Sequence, residues 1–167
     1  MAGLAPPRPL TAEDDVAGFH GGRAAMNEWP RRHAWRNQAA GISRTSVLID
    51  QATGAIAAYV SLAAGQIERA ALPKAAQRNR PSAVPIILLG QLAVDRAWQG
   101  RGVARSLVFF SFRTAIGASD SLGCFGVVSH PLDEAARAFY RRHGMVDLPG
   151  DPRAMIVRIV ELRSNGF

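Results

Sequence analysis

The sequence predicts an α/β fold, a mixed sheet with helices on both faces, and three observations carry that expectation. Ile86–Val94 is an apolar strand that runs into the glycine turn Gly100-Arg101-Gly102 and on into a helical segment from Val103 to about Thr114. A short apolar strand over Gly123–Ser129 follows that helix, and two strands joined by a crossover helix are expected to lie parallel. Ser43–Asp50 and Ala55–Ala64 flank the turn residues Gln51–Gly54, which is the pattern of an antiparallel hairpin.

The remaining elements follow in chain order. Met1–Pro9 reads as an irregular, proline-rich lead. Thr11 ahead of Glu13 and Asp14 is a helix-start signature for Leu10–Phe19, and Gly21-Gly22 breaks the chain after it. Arg23–Ala40 reads as helical, with Ala24, Trp29 and Trp35 as its apolar points. Pro30 inside that pattern demands a kink or a junction of two helices, and Gly41 closes the segment. Gly65–Pro85 reads as a loop with one short helical piece, punctuated by Pro73, Pro81 and Pro85. Val103, Leu107, Phe110 and Thr114 form one stripe at helical spacing. Asp133 is placed to cap a helix that runs to His143 and stops at Gly144. Ala154–Leu162 alternates as a final strand. The chain carries no internal repeat and no low-complexity tract.

At 167 residues the chain is expected to be a single domain spanning residues 1–167, large enough for its own core. A hydrophobic content of 48% and a mean hydropathy of +0.01 fit a soluble globular protein. No apolar run reaches the roughly 18 residues of a membrane span, and the first ten residues lack the apolar segment of a secretory signal. Cys124 is the sole cysteine, so no intramolecular disulfide forms; a cytoplasmic protein is expected. Cys124 lies in an apolar strand and reads as packed rather than reactive. The formal net charge is +7, and of 20 basic residues only Lys74 is a lysine. Codon bias explains an arginine preference but not the excess of positive charge. That excess points to a polyanionic partner, since arginine pairs bidentately with phosphate.

The glycine turn is where an anion is expected to bind. A strand, a tight turn and a helix start gather unpaired backbone N–H groups at the positive end of a helix dipole. Gly100 and Gly102 leave room for a diphosphate to approach the backbone. No Gly-Lys-Ser or Gly-Lys-Thr follows, so the turn is not a Walker A loop. It also lacks the third small residue of the dinucleotide fingerprint.

Read as Gln99-x-x-Gly102-x-Ala104, the turn resembles the acetyl-CoA pyrophosphate loop of the GNAT N-acetyltransferases. The strand before it, the helix after it, the strand near Cys124–Ser129 and the run from Phe139-Tyr140 to Gly144-Met145 follow in that family's order, and the resemblance is best from Gly41 onward. It implies the GNAT fold, with a mostly antiparallel sheet and a splayed central parallel strand pair. It also implies acetyl-CoA as the cofactor, with no metal. The implied cofactor contacts are Gln99, Gly100, Arg101, Gly102, Val103 and Ala104. The backbone of Leu92, Ala93 and Val94 is implied to meet the acetyl carbonyl, Val94 foremost. The implied general acid is Tyr140, in the family's Phe-Tyr-x-x-x-Gly motif, which points at the CoA sulfur. A phenol with a pKa of about 10 is protonated at neutral pH and can donate to a departing thiolate; without the motif, Tyr140 would read as a core aromatic beside Phe139.

The central strand contains no acid to serve as a base. A lysine amine, with a pKa of about 10.4, needs one more than an α-amine of about 7.7–8.0 does. That difference favours an α-amine acceptor, although Glu68, His130 or a water chain would also supply a base.

The N-terminal half resembles a narrower group, the toxins of bacterial GNAT/ribbon-helix-helix toxin–antitoxin systems. The motifs are Phe19-His20-Gly21-Gly22, Met26-Asn27-Glu28-Trp29, Ala39-Ala40-Gly41-Ile42-Ser43-Arg44-Thr45, Tyr59-Val60-Ser61-Leu62-Ala63 and Gly90–Asp95. The group's usual Phe-Asp-Cys-Gly and Asn-x-Trp-Leu are altered here to Phe19-His20-Gly21-Gly22 and Asn27-Glu28-Trp29-Pro30. The resemblance implies acetylation of the α-amine of aminoacyl-tRNA, a block to translation, a ribbon-helix-helix antitoxin and a homodimer, with no membrane partner. Three arginine clusters are candidates for the RNA surface: Arg31, Arg32 and Arg36; Arg78 and Arg80; Arg137, Arg141 and Arg142. Of these, Arg31, Arg36, Arg78, Arg137 and Arg141 are the chosen tRNA contacts. Arg137 and Arg141 share a helix face near Tyr140. Two other functions stay open: an acetyltransferase for a small amine or a protein N-terminus, and a non-catalytic acetyl-CoA-responsive nucleic-acid-binding module.

Overall fold

A computed structural model describes residues 3–167; Met1 and Ala2 of the expected irregular lead lie outside them. The strands are β1 (Arg8–Pro9), β2 (Arg44–Ile49), β3 (Ile56–Glu68), β4 (Ala83–Val94), β5 (Gly126–Ser129), β6 (Val146–Leu148) and β7 (Asp151–Arg158). They form a seven-stranded mixed sheet in the order β1-β2-β3-β4-β5-β7-β6. The chain divides into two compact units: one holds the residues up to Ala63 together with Gly90–Phe110, the other Ala64–Leu89 together with Ser111–Phe167.

In the first unit, the expected hairpin is present as β2 and β3, paired antiparallel from Arg44↔Leu62 to Ile49↔Ile56. The lead is more ordered than its prolines suggest. Arg8 pairs with Val47 and Pro9 with Ser46, at the sheet edge, where a proline's missing N–H leaves no ladder bond unmade. The helix expected over Leu10–Phe19 does not form. The carboxylate of Asp14 accepts from the Thr11 N–H at 2.7 Å and binds both terminal nitrogens of Arg8 at 2.8 and 2.6 Å. Asp15 accepts from the N–H groups of Ala17 and Gly18. These acidic side chains bond to the backbone in turns, so they compete with the helix they were expected to start.

Arg8 and the Thr11 bonds hold the Asp14 carboxyl below its ordinary range. A depressed carboxylate contributes stability that is complete above its unfolded pKa of about 3.9 and fades as the pH falls through its lower folded value. The Asp14→Asn variant is therefore expected to be less stable than the parent at pH 7. The difference should shrink as the pH is lowered past the ordinary carboxylate value of about 3.9, as read by chemical denaturation at pH 7 and in acid.

The Arg23–Ala40 segment is continuous: α1 (Ala24–Trp29), a π-helical turn over Pro30–Ala34, and α2 (Trp35–Ala39). The wider turn accommodates Pro30 without ending the helix. Beneath it lies a core of Leu10, Phe19, Ala34, Val47, Ile56, Tyr59 and Ala93. Tyr59 stacks on Trp29 at 5.8 Å, meets Phe19 edge-on at 5.1 Å, and donates its hydroxyl to the Met26 carbonyl at 2.8 Å.

The second unit is built on the parallel pair. Ile87, Leu88 and Leu89 of β4 stand opposite Val127, Val128 and Ser129 of β5, and β7 pairs antiparallel with β5. Its core is Leu72, Val84, Ile86, Val128, Leu148, Ala154 and Ile156. The short helical piece is α3 (Lys74–Gln77). β7 starts before the expected Ala154 and ends at Arg158. The chain then turns into α6 (Ile159–Ser164), because the Glu161 carboxylate accepts from the Arg158 N–H at 2.9 Å and from its guanidinium at 2.6 Å. α4 (Val103–Ser119) runs past the expected Thr114; Val103 and Leu107 of the expected stripe are buried, Phe110 is half-buried and Thr114 is exposed. α5 (Glu134–Arg142) starts as expected: the Asp133 carboxylate accepts from the Ala136 N–H at 2.8 Å.

Candidate active site

The cofactor bend is built by its own sequence. Asp95 ends β4 and accepts from the Ala97 N–H at 3.0 Å, which sets a single turn over Arg96–Trp98. The chain then passes through Gly100 at φ +73° and Gly102 at φ +78°. Both values lie in the left-handed region, where a side chain costs about 1–2 kcal/mol. A Cβ at either glycine would meet nothing within 4 Å. The glycines are therefore not forced by packing, and the space in front of the bend is open. Val103 starts α4, whose first turn carries no acidic residue. Its leading amides have no acceptor within the helix. Open backbone and a helix start whose first turn has no acidic residue fit an anionic diphosphate. Val103 is buried, which leaves its main chain as the only part able to reach a ligand. Ala104 follows it in the first turn. Arg101 is exposed and lies over the Trp98 ring at 4.9 Å.

The Gln99 side chain is engaged within the protein. Its side-chain nitrogen donates to the carbonyls of Gly21 at 3.1 Å and Val94 at 2.9 Å. Leu92, Ala93 and Val94 carry no ionisable group. Ala93 and Val94 are buried and Leu92 is half-buried, so their chemistry is confined to the main chain. β5 ends at Ser129, whereas β4 continues past Leu89 to Val94.

Tyr140 is buried near the end of α5, edge-on to Phe139 at 5.3 Å. Burial pushes its phenol pKa up, and the Ser129 side chain, hydrogen-bonded to it, draws the value partly back. Ser129 is itself buried and donates to the Leu89 carbonyl at 3.2 Å. Sequence reasoning missed Ser129, because nothing local marks a serine at a strand end as a tyrosine's neighbour. The result is a phenol that stays protonated through the physiological range, as a general acid requires.

The candidate bases differ in setting. His130 is exposed, with Nε2 3.6 Å from Asp151. Glu68 is exposed and lines an open cavity of about 460 Å³ with Gln66, Arg69, Gln77 and Ser82. The Cys124 thiol is half-buried just ahead of β5, and burial raises its pKa, which keeps it protonated.

The arginines separate into two groups. Arg137 binds Asp147 and donates to the Pro152 carbonyl, and Arg141 binds Asp147 at 3.0 Å; Glu134 lies 3.8 Å from each, so two acids already face the two guanidiniums. Arg31 donates to the Ala17 carbonyl at 2.6 Å, and Arg32 lies 3.2 Å from Glu28. Arg80 lies over the Phe125 ring at 4.5 Å. Arg36, Arg78 and Arg142 are exposed, and their side chains form no ion pair among the described residues.

The chain belongs to the GNAT acetyltransferase family: the acetyltransferase (GNAT) domain matches residues 43–145. It is 34% identical over 164 residues to the tRNA-acetylating toxin of Mycobacterium tuberculosis (strain ATCC 25618 / H37Rv), covering 98% of each chain. Its fold matches AtaT complexed with acetyl-methionyl-tRNAfMet at a TM-score of 0.91 and 29% identity, over 98% of this chain and 99% of that one. It also matches a Tyr-to-Phe mutant of the AtaT toxin bound to acetyl-CoA and the C-terminus of the antitoxin AtaR. That match has a TM-score of 0.83 and 26% identity, over 98% of this chain and 97% of the other.

Proposed function

We propose that this protein transfers acetyl from acetyl-CoA to the α-amine of aminoacyl-tRNA and so inhibits translation as a toxin. The observation that carries the reading is the full-length similarity to a tRNA-acetylating toxin. The open Gly100–Gly102 bend and the protonated Tyr140 supply the chemistry it needs. The chain works as one catalytic domain, residues 1–167, in the cytoplasm. Among the described residues no helix is long and apolar enough to cross a membrane.

Acetyl-CoA supplies an activated thioester. The amides of Gly100, Arg101, Gly102, Val103 and Ala104 hold its diphosphate, with Arg101 adding charge. Backbone N–H groups at Leu92–Val94 stabilise the developing oxyanion. Tyr140 holds a proton at Oη for the leaving sulfur. An α-amine is substantially neutral near pH 8, so the lack of an acid on β4 is no obstacle.

The RNA contacts are Arg31, Arg36, Arg78, Arg137 and Arg141. Arg36 and Arg78 contribute most, because Arg137 and Arg141 must first leave Asp147. If two or three arginines neutralise phosphates, the logarithm of tRNA affinity falls against that of salt with a slope of about −1.4 to −2.7, and Arg36→Ala flattens it by about 0.7–0.9. A salt-independent affinity would remove the arginines from the interface. A ribbon-helix-helix antitoxin and a homodimer complete the assembly.

The experiment is incubation with labelled acetyl-CoA and total charged tRNA. Label on the aminoacyl end supports the reading. Label on a free small amine or a protein N-terminus alone supports the second reading, a GNAT enzyme without a toxin role.

A further inference from the structure

We infer that Gln99 is a positioning residue for the cofactor bend: with Asp95 it fastens the Phe19–Gly22 loop to the segment that carries Gly100–Gly102. The inference rests on reading that bend as the diphosphate site.

The fastening is complete on both sides of the loop. The Gln99 side-chain nitrogen divides its two protons between Gly21 O at 3.1 Å, 78 residues away in sequence, and Val94 O at 2.9 Å. Asp95 accepts from the His20 N–H at 2.8 Å through one oxygen, while its other oxygen accepts from Ala97. The Arg96 N–H donates back to the His20 carbonyl at 2.9 Å. The Gly21 N–H donates to the Asn27 side chain at 2.7 Å, which ties the loop onward to α1. The N–H and C=O of both His20 and Gly21 are thus engaged.

The bend needs this support. Its two glycines offer no side chain by which it could be packed, and glycine is the residue with the most freedom to lose. The sequence just before the bend must therefore be held by something else, and the Gln99 amide bridges β4 and the loop at that point. A bend held in its binding shape avoids the ordering cost on association. Sequence motifs place Gln99 among the cofactor contacts; the geometry assigns its side chain to the frame around them. The coupling is reciprocal, so a ligand on the bend must also steady the loop.

The test variant is Gln99→Met, which keeps length and volume but cannot donate. The loss is expected in acetyl-CoA affinity, a rise in Kd of about tenfold by calorimetry, and in KM for acetyl-CoA rather than in kcat. Amide hydrogen exchange at His20 and Gly21 should speed up in the free variant while Ile156 and Val157 of β7 keep the parent rate. In the parent, acetyl-CoA should slow exchange at those two loop amides. Asp95→Asn, which keeps one acceptor oxygen, is the milder second variant and should move the same readouts less. If the parent binds acetyl-CoA and both variants bind equally well, or if the loss falls on kcat alone, the inference is overturned. A parent that does not bind acetyl-CoA at all overturns the diphosphate reading itself.

Discussion

Tyr140→Phe is expected to lower kcat about a hundredfold, the scale of a lost general acid, while the Kd for acetyl-CoA stays within about twofold of the parent. The substitution removes one oxygen and keeps the ring, so the edge-on contact with Phe139 at 5.3 Å survives. Burial raises the phenol pKa and Ser129 only partly offsets it. The parent's kcat should therefore show no alkaline decline from this group below about pH 10, the ordinary phenol value. Steady-state kinetics from pH 7 to about pH 9.5, beside calorimetry with acetyl-CoA, check both points. Weaker acetyl-CoA binding with kcat retained would make Tyr140 a packing residue.

The second large effect is expected at the bend. Gly102 sits at φ +78° with open space where a Cβ would be. Valine there is strained in the left-handed region by about 1–2 kcal/mol, and its methyl groups occupy the space in front of the amides. Acetyl-CoA affinity should fall about a hundredfold, because the diphosphate loses its approach to several charge-assisted donors at once. Thermal unfolding of the free protein should move by only a few degrees, in line with the strain alone. Parent-like acetyl-CoA binding by Gly102→Val would place the cofactor elsewhere.

What was legible in the sequence was what local pattern dictates. The apolar run of β4, the glycines of the bend and the start of α4 lie consecutively, and their conformations follow from strand periodicity, positive φ and helix propensity. The parallel partner followed from the crossover helix between β4 and β5, and Asp133 capped α5 as its residue type suggests. The failures came where side chains found distant partners. Thr11, Glu13 and Asp14 mark a helix start, yet Asp14 is taken by Arg8, which belongs to an edge strand that the prolines disguised. Ala154–Leu162 was cut short by the Arg158–Glu161 capping box, a motif that pattern alone did not separate from strand alternation.

The site divides the same way. Gly100, Gly102 and Tyr140 were marked as candidates because motif and chemistry coincide in a few consecutive residues, and the structure gives both glycines a positive φ and buries the tyrosine. Ser129 was not, since its role exists only when β5 lies beside α5. The tie between Asp95 and His20 was equally invisible, its partners lying 75 positions apart in sequence. The charge excess pointed to a polyanionic partner but could not tell Arg36 from Arg137. Only the structure reveals that Arg137 is already matched by Asp147.

The most direct measurement compares kcat/KM for acetylation of aminoacyl-tRNA with that for the same amino acid as a simple ester, at equal pH and salt. Both present an α-amine of similar basicity, so the reaction centre is held constant and only the RNA differs. A preference for the charged tRNA of a hundredfold or more, about 2.7 kcal/mol of binding drawn from the RNA, is the predicted result. Equal rates on the two acceptors would contradict an enzyme built to act on tRNA.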